Sequence, residues 1–106
     1  MTKLYKLKYH PDAVYDLYNI FSLIENYAGG DIAVRKMAEI ERVTKSLVDF
    51  PYKGSIRQDF PSEIRALPAA EKAVISFAVL EEDRLVLIYA ISYAGSDWVA
   101  RVKERL

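Results

Sequence analysis

Two long runs near the C-terminal end, residues 72–80 and 84–93, constrain this chain more than any other feature. Val74, Ile75, Phe77, Val79 and Leu80 fill the first; Leu85, Val86, Leu87, Ile88 and Ile91 fill the second. Apolar side chains fall at both parities, so each strand carries greasy surface on both faces. Such strands belong in the middle of a sheet covered on more than one side. Glu81-Glu82-Asp83 between them is a polar turn, which makes the two runs a hairpin. Adjacent carboxylates in such a turn diverge, so a solvated turn is the reading here and a metal site the alternative.

The rest of the chain must supply the cover. Over residues 4–9, Tyr5, Leu7 and Tyr9 alternate with Leu4, Lys6 and Lys8, the pattern of a strand with one buried face. His10-Pro11-Asp12 ends it, and Pro11 suits the first turn of a helix because it has no N–H to leave unpaired. A helix over residues 12–28 follows, with Ala13, Leu17, Ile20, Phe21, Ile24 and Ala28 at helical spacing. Gly29-Gly30 stops it. Asp31 is placed to cap a second helix reaching about Phe50, with Ala33, Met37, Ile40, Val43 and Leu47 as its apolar stripe. Arg35 with Glu39, and Glu41 with Lys45, are spaced as ion pairs on its wet side. So short a connection makes the two helices an antiparallel hairpin.

Pro51, Gly54 and Pro61 punctuate a loop. A short strand over residues 64–67 ends at Pro68, and Asp97 is placed to cap a last helix through Arg105 that carries Trp98, Val99 and Val102. The expected fold is α+β: a mostly antiparallel sheet with an N-terminal helical hairpin on one face, in the order β-α-α-β-β-β-α, as one domain over residues 1–106.

Composition narrows the function. The chain has no cysteine, which excludes disulfides, thiol catalysis and Cys-based zinc sites. Fifteen basic and fifteen acidic residues balance to zero. Proteins that live on phosphate backbones draw affinity from a basic excess, so a protein target is favoured and direct nucleic-acid binding is not expected. Met1-Thr2-Lys3-Leu4-Tyr5-Lys6 carries charge where a signal peptide is apolar, and no run is long enough to cross a bilayer. A cytoplasmic protein without membrane contact is expected. There is no phosphate-binding loop, no Ser–His–Asp pattern and no sign of a cofactor or metal.

Four stretches in order then resemble one family. Tyr5-Lys6-Leu7-Lys8-Tyr9-His10-Pro11-Asp12-Ala13 resembles an opening strand, proline and helix. Leu47-Val48-Asp49-Phe50-Pro51-Tyr52-Lys53-Gly54 resembles a helix end of the form L-x-x-F-P-x-x-G. Ile64-Arg65-Ala66-Leu67-Pro68 resembles an apolar-R-x-L-P strand, followed by two strands around an acidic turn. The chain is similar on these grounds to the RelE/ParE toxins of type II toxin–antitoxin (plasmid stabilisation) systems, and to their ParE branch in particular. The resemblance implies a toxin that binds DNA gyrase and is neutralised by a ParD-like antitoxin, a binding protein rather than an enzyme. The RelE branch implies the alternative, cleavage of messenger RNA on the ribosome; a decayed, non-toxic member is a third reading.

Against the family pattern, Tyr93-Ala94-Gly95-Ser96-Asp97-Trp98 puts a tyrosine where a histidine or similar polar group often ends the last strand, and the arginine that follows is absent. The one histidine, His10, lies at the start of the first helix. A ribonuclease would have to run on Arg65 and Tyr93, with Arg57 or Lys72. Arginine, lysine and tyrosine are not residue types that ordinarily titrate near pH 7, where acid–base catalysis works best.

The first helix carries apolar side chains over more of its circumference than a sheet contact needs. Either the second helix covers the surplus, or Tyr18, Phe21 and Tyr27 line a groove for the antitoxin. Arg65 reads as an ion-pair residue on the sheet's open face or as a target or antitoxin contact, and Arg57 as loop surface. Tyr89 and Tyr93 share strand parity; with Trp98 they form either core or the target-binding surface.

Overall fold

The structure, a computed structural model, describes residues 4–95 and 97–106. Met1 to Lys3 and Ser96, used above for the opening charge pattern and the end of the last strand, lie outside the described residues. The elements are β1 (Lys6–Tyr9), α1 (Pro11–Ala28), α2 (Gly30–Ser46), β2 (Ser55–Arg57), β3 (Ile64–Ala69), β4 (Ala73–Leu80), β5 (Leu85–Tyr93) and α3 (Trp98–Arg105). The expected α+β order is present, with one addition: β2, three residues long, is too short to show an alternating pattern.

The strands form one sheet in the order β1-β5-β4-β3-β2. β1 runs parallel to β5, and every other pair is antiparallel. The two doubly apolar strands, β4 and β5, are central as expected. Both faces are covered, unequally. The α1–α2 hairpin lies on the first face over Ile75, Phe77, Val86, Ile88 and Ile91. On the second, Val102 of α3 packs with Ile64, Ala78 and Ala90, and Phe60, Tyr89 and Trp98 border them.

Several details follow from local chemistry. His10 is the N-cap of α1: its ring Nδ1 accepts the Asp12 amide at 3.1 Å. That satisfies a donor the first turn would leave orphaned, which gives the lone histidine a structural role. The second helix starts two residues earlier than expected, with Gly29 as cap and Asp31 in the first turn, where its charge still suits the helix dipole. It also stops at Ser46, short of Phe50. Neither four-apart ion pair of α2 forms among the described residues; Lys36 instead reaches Glu71, at 2.6 Å, at the tip of the β3–β4 hairpin. β3 continues through Pro68, which lies past the end of β2. A residue lacking an N–H is tolerated there because the strand has a partner on one side only.

One irregularity reorganises the faces of β5. Ser76 pairs with Ala90, but Phe77 pairs with Ile88, so Tyr89 is an extra residue. A bulge of this kind slips the parity of everything beyond it. Tyr89 therefore borders the second-face cluster while Tyr93 lies in the first-face core. The expectation that the two tyrosines share a face is wrong for this reason.

Candidate functional site

β1 is shorter than β5. It ends at Tyr9, opposite Ile88, and His10 donates the last ladder bond to the Ile88 carbonyl at 2.8 Å. Beyond that point the outer edge of β5 has no strand beside it among the described residues. The Ala94 amide donates to the Lys72 carbonyl at 3.0 Å. Alternation along the antiparallel ladder then turns the N–H and C=O groups of Ile91 and Tyr93 away from β4.

Two side chains stand in for part of the missing strand. Asp16 Oδ2, from the buried side of α1, accepts the Ile91 amide at 2.9 Å. Arg105, from the last turn of α3, donates to the Tyr89 carbonyl at 2.8 Å. The two residues also grip each other, Arg105 donating at 2.6 Å to Oδ2 and at 3.0 Å to Oδ1 of Asp16. The pair is fork-on-fork, which adds geometric specificity to charge. Asp16 is 5% exposed and the Arg105 side chain 10%. The aspartate holds the guanidinium above its ordinary pKa. This strut passes the open edge of the sheet and ties α3 on one face to α1 on the other.

Around the strut lies a cleft of about 340 Å³, bounded by α1, α3 and the free end of β5. Tyr15, Asn19, Ile20 and Leu23 form its α1 wall, and Ile91 and Tyr93 its floor. Arg101 borders it from α3, 3.7 Å from Asp16 Oδ1, too far for a hydrogen bond, with its side chain 35% exposed.

Tyr93 is 8% exposed. Its hydroxyl meets that of Tyr27 at 3.0 Å. That hydrogen bond, with burial, pushes the Tyr93 phenol up to about 12. Tyr18 is 70% exposed and Tyr15 69%, on the outer side of α1. Tyr18 and Tyr27 are nine residues apart, about half a turn out of phase at roughly 100° per residue, so they do not line one groove. Phe21, expected with them, is half-buried against the core. The surplus apolar arc of α1 is thus divided: α2 and the sheet take Leu17 and Phe21, and Tyr15, Tyr18 and Leu23 stay open.

The remaining expected residues lie elsewhere. Arg65 pairs with Phe77 across β3 and β4, so it is on the hairpin face rather than an open one. It donates to the Tyr52 carbonyl at 3.0 Å and stacks on the Tyr52 ring, 5.1 Å from its centroid. Trp98 is half-buried beside Phe60, with Arg57 stacked 5.0 Å from its ring; Arg57 is also salt-bridged to Asp59 at 2.7 Å. Tyr89 and Trp98 border one cluster, and Tyr93 is on the other side of the sheet. Glu81 of the acidic turn accepts the hydroxyls of Tyr5, at 2.8 Å, and Tyr52. Among the described residues no group of three or more His, Cys, Asp or Glu is arranged to hold a metal. No described helix is long and apolar enough to cross a membrane.

Asp16, Arg101 and Arg105 were not singled out in the sequence. One signal was there: Asp16 interrupts the stripe of Ala13, Ile20 and Ile24, and a carboxylate on a buried helix face needs a partner.

No family model and no curated protein sequence matches the chain. Solved structures do. A chain of the chromosomal ParDE toxin–antitoxin system from P. aeruginosa superposes with a TM-score of 0.74 over 88% of this chain and 99% of that one, at 19% identity. This is the RelE/ParE toxin fold. A mutant of E. coli toxin RelE in the free state shares it at a TM-score of 0.67 and 12% identity, covering 95% of each chain. So does the RelBE2 toxin–antitoxin complex from Mycobacterium tuberculosis, at 0.58 and 14% over 91% of this chain and 97% of that one. Within the RelE/ParE fold, then, the strut and cleft lie where β1 falls short of β5 and α3 crosses the sheet edge.

Proposed function

We propose that the chain is the toxin of a type II toxin–antitoxin system, ParE-like in action. It binds a protein target in the cytoplasm, DNA gyrase, and is neutralised by a ParD-like antitoxin. One observation carries the binding reading over the ribonuclease one: the groups that RNA cleavage would need are kept apart. Arg65 lies opposite Phe77 and Tyr93 opposite Ala73. The two are therefore about 13 Å apart along the strands and about 10 Å across them. The Tyr93 hydroxyl is committed to Tyr27 and, at about 12, its pKa is unsuited to proton transfer near neutrality. The open tyrosines of α1, Tyr15 and Tyr18, suit an antitoxin contact, because tyrosine buries area with few rotors. Trp98, Tyr89 and Arg57 are the candidate target contacts on the second face.

The test is induced expression in a bacterium, with chromosomal breaks and messenger RNA integrity read from one culture. Growth arrest with broken DNA and intact messenger RNA is expected. Cut messenger RNA with intact DNA moves the assignment to the RelE-like activity, and normal growth with neither lesion to a decayed toxin.

A further inference from the structure

On the second face of the sheet, β4 and β5 stay apolar for longer than α3 covers them. α3 packs there through Val102, with Ile64, Ala78 and Ala90. Toward the β4–β5 turn the strands run on. Leu87 pairs with Ala78 on one side and Lys8 on the other; further along, Leu85 pairs with Leu80 and Lys6. Paired residues share a face, and so do residues two apart in a strand. All five side chains therefore lie on the side of Ala78. Leu80 is 37% exposed, Leu85 and Leu87 are half-buried, and both lysines are exposed. The leucines form a partly open apolar strip, and Lys6 and Lys8 border it along β1. Every salt bridge among the described residues is made by other cations. The two lysines thus hold uncompensated charge beside apolar surface. Lysines on an edge strand also deter strand pairing, a role that has no need of leucines beside them.

The face of a sheet has its backbone groups committed to neighbouring strands, so it offers a partner side chains alone. An element that docks on it must satisfy its own backbone, as a helix does. A helix laid beside α3 at the usual spacing of about 8–10 Å falls over Leu80 and Leu85. We infer that this strip docks an amphipathic helix of the target protein, alongside α3, with acidic residues on the flank that meets Lys6 and Lys8. This rests on the reading of the chain as a toxin that binds a protein target, and it names the element that the target presents. The leucines supply buried area. The lysines select the partner, since complementary charge adds specificity and encounter rate more than affinity.

The probe is an alanine-rich helical peptide of about 18 residues, long enough to hold a helix in water. Leucines at helical spacing form one face and glutamates flank it; a counterpart has lysine for every glutamate. Each is titrated into the full chain, and the methyls of Leu80, Leu85 and Leu87 are followed by NMR. The glutamate peptide should shift them to saturation and bind about tenfold more tightly than the lysine peptide at low salt. The double substitution Lys6→Glu with Lys8→Glu should reverse that preference, which lysines that only support the fold or guard the edge would not cause. Absence of methyl shifts at millimolar peptide overturns the inference. So does a preference that survives the double substitution, or shifts centred on Tyr15 and Tyr18 of α1. Shifts that grow with the concentration of the chain alone also overturn it, since a second copy is then the occupant. In an induced culture the double variant, with its urea midpoint unchanged, should lose growth arrest. Arrest equal to the parent's overturns the docking strip and keeps the toxin reading. No arrest by the parent, with the peptide preference reversed as expected, overturns the toxin reading and keeps the strip.

Discussion

Asp16→Asn isolates the contribution of the strut between α1, β5 and α3. The substitution keeps the shape of the side chain and an oxygen to accept the Ile91 amide. It removes the charge that Arg105 meets at 2.6 and 3.0 Å. Breaking a buried ion pair by removing one partner costs about 3–5 kcal/mol, since the other charge is left desolvated. Here the Tyr89 carbonyl still accepts from Arg105, and Asp12 lies 3.8 Å from its Nε, so the low end, about 3 kcal/mol, is expected. Asp16→Ala also orphans the Ile91 amide, which adds about 1 kcal/mol or more. Against a total of about 5–15 kcal/mol for a domain, either change is large. Urea unfolding followed by circular dichroism should show the midpoint falling by roughly 2 M for Asp16→Asn, at a slope near 1.5 kcal/mol/M. A double-mutant cycle with Arg105→Gln should give a coupling energy of at least about 2 kcal/mol. A coupling below about 0.5 kcal/mol, the range of exposed ion pairs, would refute the reasoning that burial makes this pair matter.

Gly54 has a φ of +79°, and a Cβ there would lie 2.5 Å from the Ala66 carbonyl oxygen on β3. Gly54→Ala should therefore destabilise the fold by at least about 2 kcal/mol, combining left-handed strain with a backbone clash; an unchanged urea midpoint would show that the loop shifts without cost. Of the eight tyrosines, Tyr93 and Tyr52 should titrate near pH 12 and Tyr9 above its ordinary 10 when phenolate absorbance is followed. Because folding raises these values, their contribution is complete below pH 10 and is lost as pH climbs through the folded values. Tyr27→Phe should bring Tyr93 down, and a Tyr93 that ionises at pH 10 in the native chain would contradict the hydroxyl pair.

The sequence by itself determined which segments are helix or strand, β2 excepted, which strands are central and that two helices form a hairpin. Each depends on periodicity within a few residues: the alternation of Tyr5, Leu7 and Tyr9, the helical recurrence from Ala13 to Ala28, the doubly apolar runs around Glu81-Glu82-Asp83. Gly54 is legible too, as the glycine closing the F-P-x-x-G stretch, although its reason, the approach to Ala66, is not. Tertiary structure decided the site. Asp16 and Arg105 are 89 positions apart and Tyr27 and Tyr93 are 66 apart, and no local pattern couples such residues. The face of Tyr93 was misread because strand parity is counted along one chain, whereas the bulge at Tyr89 arises from pairing with β4. The free edge of β5 exists only because β1 stops at Tyr9 where His10 and Pro11 begin a helix, a difference in strand length that has meaning once the two strands lie side by side.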